Sequence, residues 1–302
     1  MKEKYPDIKV LDPQEEGFDQ AQAIAKAVAI IQGNPDITGA FSTTGNGPTT
    51  WARAAEDASK KDLVIISMDY TRPNLDLVKA GKVYALVAQP LYEEFYAAVE
   101  LLGKAIDGKP FEYLNLLPAP IVTVKDLDKY YAFNDRAEAS IQGEPAATQP
   151  PAKPHRLALI QGLKGHPVHR LMQLGFQEGC KDLGYECDML LTDSTSSPDI
   201  IALAEQALAL GYYDGVVFYA WDDSFFPAIA KFKAEGIPVV DPHFTSFDQA
   251  KSGLTAVVGA DVVAYAKAAA ESMGAKLGGK GTVAVTVGNF NQTENLVAET
   301  FK

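Results

Sequence analysis

The stretch GEPAATQPPAKPHRLALIQG, residues 143–162, decides how the chain is read. A leader rich in Pro, Ala and Gln gives way to one basic residue, Arg156, and then to an apolar run over 157–161 that reads as a buried strand. Such a passage belongs at the beginning of a mature protein, yet it stands in mid-chain.

On both sides of it the same alternation recurs. Before it, IKVLDP (8–13) leads to AQAIAKAVAIIQG (21–33), whose apolar residues fall at helical spacing. ITGAFSTT (37–44), LVIISMD (63–69) and YALVAQ (84–89) are further strands, each followed by an amphipathic run. After it, RLALIQG, CDMLLTD, GVVFYA, IPVVDP, LTAVVGA and TVAVTVG are strands with helices between them. Short apolar strands separated by helices of 10–15 residues predict βαβ units, and parallel sheets covered on both faces. The strands are too many for one small sheet, so two doubly wound lobes are expected.

The ends of the chain bear on the same question. NQTENLVAETFK reads as an amphipathic helix that stops at Lys302, and MKEKYPDIKV as a helix end followed by a turn and a strand. Joined head to tail they make one continuous helix, turn and strand. The expectation is a circular permutation, in which residues 134–154 link an older C-terminus to an older N-terminus. Permutation is tolerated where the native termini are close and the new cut is exposed.

Composition limits the function. The 302 residues carry a net charge of −12 and contain 47% hydrophobic residues, enough for a sizeable core. No basic run is present, so nucleic acid and anionic membranes are poor partners. No apolar run reaches the length of a membrane span, and the first residues lack the apolar region of a signal peptide. Cys180 and Cys187 could pair across a helix–strand turn or both be buried thiols. GAKLGGKGT (274–282) nearly spells a phosphate-binding loop, but it follows a helix and precedes a strand, the reverse of the required order. It reads as a helix C-terminal turn.

Rotated to begin at Lys153, the chain resembles the type I periplasmic solute-binding proteins, the ribose-binding type. The segments LALIQGLKGHPVHRLMQLGFQEGCKDLGYECDMLLTDSTSSP, DGVVFYAWDDSFFPAIAKFKAEGIPVVDPHF, VVGADVVAYAKAAAESMGAKLGGKGTVAVTVG, VLDPQEEGFDQAQAIAKAVAIIQGNPDITGAFSTTGNG and DLVIISMDYTRPNLDLVKAGKVYALVAQPLYEEFYAAVELLGKAIDGK stand in the family's order. The resemblance implies two α/β lobes of doubly wound parallel sheet joined by a three-segment hinge. The first lobe would be 155–259 plus 90–115, the second 260–302 plus 1–89 plus 116–133, and the linker 134–154. Ligand would bind between the lobes, at the carboxyl ends of the strands.

Site residues follow position by position from the resemblance. Asp69 in SMDYT matches the family's strand-end carboxylate, with Met68 packed beside it; by its place before 72–79 it is also a candidate helix N-cap. Gln89 matches the amide of a crossing segment, Phe18 the aromatic of the binding face, and Thr44 or Asn46 the polar residue after FSTTGNG. Asn295 and Phe244 stand where the ribose binder has arginines, so a pentose identity does not transfer. His243 or Asp241 lies at the strand end in DPHF. His166 and His169 replace the usual Asn-Pro-aromatic pattern of the first loop, so three of the four histidines fall on one lobe. They read as hydrogen-bonding or stacking partners of a polar ligand, with a metal site as the sharper alternative. Trp221 and Trp51 are each candidates for stacking or for core.

The implied function is a solute receptor that captures a sugar or polyol by hinge closure for an ABC permease, as a monomer in the periplasm or anchored outside the membrane. It would have no cofactor, no metal and no catalysis. Alternatives are a ligand-sensing regulator domain, which lacks a helix-turn-helix before Arg156, and a small-molecule enzyme on the same scaffold.

Overall fold

The computed structural model describes residues 1–17, 19–140, 155–289 and 292–302. In chain order the first elements are β1 (Asp7–Val10), β2 (Gln14–Glu15), α1 (Gln20–Gly33), β3 (Ile37–Ser42), α2 (Gly47–Asp57), β4 (Val64–Met68), α3 (Arg72–Lys79) and β5 (Ala85–Val87). Next come α4 (Leu91–Ile106), β6 (Leu114–Leu117), β7 (Ile121–Val122), α5 (Leu127–Ser140), β8 (Arg156–Gln161), α6 (Pro167–Leu183), β9 (Glu186–Leu191) and α7 (Ser197–Leu210). The last are β10 (Gly215–Phe218), α8 (Phe226–Ala234), β11 (Val239–Pro242), α9 (Gln249–Ser252), β12 (Ala256–Ala260), α10 (Val262–Lys276), β13 (Lys280–Val287) and α11 (Gln292–Phe301).

These elements fall into two compact units. Unit 1 comprises Met1–Gln89, Pro118–Asn134 and Asp261–Lys302; unit 2 comprises Pro90–Leu117 and Asp135–Ala260. Of the expected linker 134–154, residues 134–140 are instead the end of helix α5. The run FNDRAEAS has no proline or glycine to stop the helix that begins at Leu127. Residues 141–154 lie outside the described residues, as does Phe18.

Each unit is built on one sheet. In unit 2 the strand order is β6-β12-β11-β10-β8-β9, with every neighbour parallel. In unit 1 it is β1-β13-β3-β4-β5-β7, with β2 on β13 and only β7 antiparallel. Counted from β8 around the chain, β8–β12 take the spatial order 2-1-3-4-5. Counted from β13 through β1, β3, β4 and β5, unit 1 repeats that order. In the sheet of unit 1, β13, the last strand before Lys302, lies between β1, the first strand after Met1, and β3. The Met1 ammonium donates to the Phe301 carbonyl (2.9 Å) and the Lys2 amide to that of Lys302 (2.8 Å).

The strands form because β-branched and aromatic residues come in short runs, all buried in β10 (GVVF) and β12 (AVVGA). The core of unit 2 packs Ile160, Val216, Phe218, Phe225, Ile229 and Phe232. In unit 1 the rings of Phe41 and Phe301 stack at 4.3 Å. Helix α6 shows the local logic. His166 caps its start, Pro167 occupies the first turn, and Gly184 ends it in the left-handed conformation at φ +71°. Its last turn is tied to β9 by a disulfide between Cys180 and Cys187.

Candidate functional site

In open parallel sheets, ligand-binding groups gather beyond the carboxyl ends of the strands. On unit 1 that edge is organised around Asp69, which follows β4 with φ +67°. Its amide donates to Val87 on β5 (3.0 Å), and one carboxylate oxygen accepts from Nε2 of Gln89 (2.8 Å). Nδ2 of Asn74 donates to the carbonyls of Gly45, Met68 and Asp69, pinning the two loops together. A side chain at Gly45 would come within 2.4 Å of the Asp69 carboxylate, so only glycine permits this approach. Asp69 is not the cap of α3; that place is taken by Thr71. Met68 is fully buried beneath the loop.

A second carboxylate lies deeper. Glu16, buried, accepts from the hydroxyls of Ser42 (3.0 Å), Thr44 (2.5 Å) and Thr286 (2.5 Å). Trp51 completes the set by donating its indole N–H to Thr286, and it is core. These three hydroxyls come from the ends of β3 and β13 or just beyond, so Glu16 binds the strand ends into one rigid edge. The Thr44 hydroxyl is committed to this network, whereas Asn46, the other candidate, is exposed at the start of α2 and makes no capping bond. Glu294 on α11 accepts from Thr43 (2.6 Å) and from the Gly288 amide. Asn295, half-buried, is the next residue on that helix.

On unit 2 the corresponding edge is aromatic. The Tyr219 ring, one residue past β10, is a hub whose centroid lies 5.0 Å from His169, 5.3 Å from Phe244, 5.9 Å from His243 and 6.1 Å from Trp221. His166 and His169 sit 5.7 Å apart. The structure therefore gathers the three expected histidines, Trp221 and Phe244 around a tyrosine that the sequence reading did not single out. Nδ1 of His169 faces the Gly162 carbonyl at 2.9 Å. A carbonyl only accepts, so Nδ1 carries the hydrogen. Burial pushes this imidazole down to about 3, and His166 adds to the effect. His166, capping α6, is also lowered by burial. Among the described residues, no three His, Cys, Asp or Glu side chains are grouped to hold a metal ion.

His243 follows β11 with φ +85°, and its amide donates to Val258 on β12 (2.7 Å). Its Nδ1 lies 3.0 Å from a carboxyl oxygen of Glu94, a fully buried residue on the first turn of α4. Asp241, on β11, is also fully buried and accepts from the Ala220 amide. Burial raises Glu94 above the usual carboxylate range and Asp241 well above it.

Four residues of this framework were missed in the sequence. Glu94 was findable: Leu91, Glu94, Phe95 and Ala98 fall at helical spacing, which places an acid in the buried stripe. Tyr219 directly ends a strand, as Trp221 nearly does. Glu16 and Glu294 carried no such signal, because their partners are distant in sequence.

The two units thus carry sheets of the same strand order, parallel throughout in unit 2 and parallel but for β7 in unit 1, each with polar or aromatic side chains grouped beyond its strand ends. The chain belongs to the periplasmic binding proteins: the family described as "Periplasmic binding protein domain" matches residues 1–110 and 157–298. The D-apiose import binding protein of Actinobacillus succinogenes is 28% identical over 111 residues, covering 34% of this chain and 34% of that one. Its counterpart from Paraburkholderia graminis is 23% identical over 116 residues, 37% of each chain. The matches thus span about a third of the length of these curated relatives. Among solved structures, a periplasmic sugar-binding protein from Pseudomonas fluorescens aligns with TM-score 0.53 at 12% identity, over 89% of this chain and 72% of that one. An ABC transporter periplasmic solute-binding protein from Actinobacillus succinogenes, with bound D-allose, gives 0.51 at 13% identity, over 93% and 73%. At these identities the structures speak for the fold. No helix among the described residues is long and apolar enough to cross a membrane.

Proposed function

We propose that this protein is the solute receptor of an ABC importer, and that it captures a small neutral sugar or polyol and hands it to a membrane permease. The observation that carries the reading is that each unit of a periplasmic binding protein gathers ligand-type side chains beyond the carboxyl ends of its strands. One edge offers carboxylate and amide groups (Asp69, Gln89, Asn46, Asn295). The other offers aromatic and imidazole faces (Trp221, His243, Phe244, His166), with the buried His169 packed behind them. Polar groups of the first kind pair with sugar hydroxyls, and rings of the second kind cover the apolar face of a sugar ring. A ligand engaged by both edges selects the state in which both are satisfied, which is the physical content of hinge closure. The relatives named above as import binding proteins support transport over turnover. The Cys180–Cys187 disulfide favours an oxidising compartment, periplasmic or extracellular, and the receptor acts as a monomer. The test is calorimetric titration with D-apiose, D-allose and other monosaccharides, with amino acids and nucleosides as controls. Saturable binding of a monosaccharide, unchanged after incubation, is expected; binding of only an amino acid or nucleoside would overturn the reading.

The element order supports a second proposal, that the chain is a circular rearrangement of the family's order, with the two units as its lobes. The carrying observation is that both sheets read 2-1-3-4-5 only when counted from β8. A gene beginning at Lys153, with Lys302 joined to Met1, is expected to give the same melting temperature and ligand. Failure of that chain to fold would refute the rearrangement.

A further inference from the structure

Glu16 is the buried hub of the ligand edge of unit 1, yet it has no place among the groups offered to a sugar. Its carboxylate is satisfied by three hydroxyls rather than by a cation. An indole N–H only donates, so the Thr286 oxygen accepts from Trp51 (3.0 Å) and its own hydrogen goes to Oε2 of Glu16. The Thr44 amide donates to the Ser42 oxygen (3.2 Å), and the Ser42 hydroxyl donates to Oε1. From this one carboxylate two routes lead to the start of α2. Ser42 packs so close to Gly47 that a side chain there would collide with the hydroxyls of Ser42 and Ser67. Thr286 holds Trp51, one turn further along the same helix. The neighbourhood is tied from other sides too: Ser67 on β4 reaches the Ser42 and Thr44 carbonyls (3.1 and 3.2 Å), and Gln20 at the start of α1 donates to Thr50 (2.7 Å). Asn46, exposed, stands immediately before α2.

We propose that Glu16 is a positioning residue for ligand capture: through Ser42 and Thr286 it fixes the first turn of α2 against the end of β13, and so sets where Asn46 meets the ligand. The contact of Asn46 with ligand rests on the sugar-receptor reading; the route from Glu16 to α2 does not. Glu16 itself touches no ligand, because it is buried and its oxygens are engaged. The arrangement is pre-organisation. An edge that is held before the ligand arrives loses less of the binding energy to ordering itself. Removing the hub therefore weakens affinity in a protein that is still folded.

A double-mutant cycle with a stability control tests this. Glu16→Ala removes the carboxylate, Thr286→Val removes the tie to β13 while keeping its shape, and the two are combined. Ile30→Ala opens a cavity at the far end of α1 and reports what mere loss of stability does. Affinity is measured by calorimetry, starting with D-allose and D-apiose, under conditions where urea titrations show each variant folded. Glu16→Ala and Thr286→Val are each expected to bind roughly tenfold or more weakly. The double variant should bind no more weakly than Glu16→Ala, and Ile30→Ala as tightly as the wild type. Wild-type affinity in Glu16→Ala, additive losses in the double variant, or an equal loss in Ile30→Ala would each overturn the proposal. Should Glu16→Ala not fold, Thr286→Val set against Ile30→Ala decides it: a loss only in the former supports the route, and wild-type affinity overturns it. A ligand-free arm keeps the two readings apart. The chain has two tryptophans, so the Trp51 indole N–H signal in the NMR spectrum is the one that persists in Trp221→Phe. Glu16→Ala should move it upfield, because Thr286 loses the carboxylate that polarises its hydrogen bond; an unmoved signal overturns the route. If the wild type binds no monosaccharide, the receptor reading falls, and the indole signal still decides whether Glu16 holds α2.

Discussion

Asp69 and His243 occupy the same place in two different sheets. Each is the residue immediately after the fourth strand of its unit, each has a left-handed backbone (φ +67° and +85°), and each donates its amide to the fifth strand. Left-handed φ costs a non-glycine residue on the order of 1 kcal/mol or more, and such strain persists where function requires the side chain. The two units have repeated a backbone device and filled it differently, with a carboxylate in one and an imidazole in the other.

If Asp69 is held there for ligand, removing its charge should affect binding far more than folding. Asp69→Asn keeps a residue that tolerates left-handed φ, and Gln89→Ala removes its amide partner. Each is expected to weaken monosaccharide binding by roughly 1.5–3 kcal/mol, the range for a hydrogen bond to a charged group, with unfolding midpoints close to wild type. Calorimetry and urea denaturation on the same samples check this. Undiminished affinity in both variants would remove Asp69 and Gln89 from the site.

A buried ion pair in unit 2 should behave in the opposite way. Arg156, 1% exposed, donates Nε to Asp188 (2.8 Å), and the Tyr213 hydroxyl donates to the same carboxylate (2.9 Å). Asp188→Ala removes the carboxylate from beside a buried guanidinium and should cost roughly 3–5 kcal/mol. Arg136 and Glu178 form a more exposed pair, and Arg136→Ala should cost about 1 kcal/mol or less. Urea unfolding of the two variants separates the cases; equal losses would mean that burial does not set the worth of these pairs.

The Cys180–Cys187 bridge closes a short loop between α6 and β9. Loop-closure entropy for about eight residues predicts a contribution of roughly 2.5 kcal/mol. The Cys180→Ser/Cys187→Ser double variant should lose about that much in denaturation under oxidising conditions, and dithiothreitol should then have no further effect on it.

How much of this was legible before the structure depends on the range of the interactions. The strands and helices were readable because runs such as LVIISM and GVVF announce themselves within a few residues. The histidines, Trp221 and Phe244 were readable because strand ends are local features. The extension of α5 to Ser140 was missed because the low hydrophobicity of NDRAEAS resembles a linker, although nothing in it breaks a helix. Glu16 was missed because its three hydroxyl partners come from residues 42, 44 and 286. Only the fold brings those together. The cysteine question could not be closed either, since seven residues of separation permit pairing without requiring it.

The buried histidine gives a prediction about pH. His169 is held down to about 3 in the folded protein by burial, whereas an unfolded histidine titrates near 6.5. Between those values the unfolded chain binds a proton that the folded chain refuses, so acid favours unfolding. The His169 contribution is intact above pH 6.5 and declines as pH falls, by up to about 1.4 kcal/mol per pH unit. Glu94 and Asp241 act in the other direction, because carboxyls raised by burial take up protons in the folded state and stabilise it as pH falls. The wild-type curve alone therefore mixes opposing effects. His169→Gln, which keeps a donor for the Gly162 carbonyl, isolates the histidine. The stability of wild type minus that of His169→Gln should be flat above pH 7 and fall steadily between pH 6.5 and pH 4.5 in urea titrations. A difference that stays constant across that range would mean that His169 takes up its proton without unfolding, and that this part of unit 2 is more open to water than its packing implies.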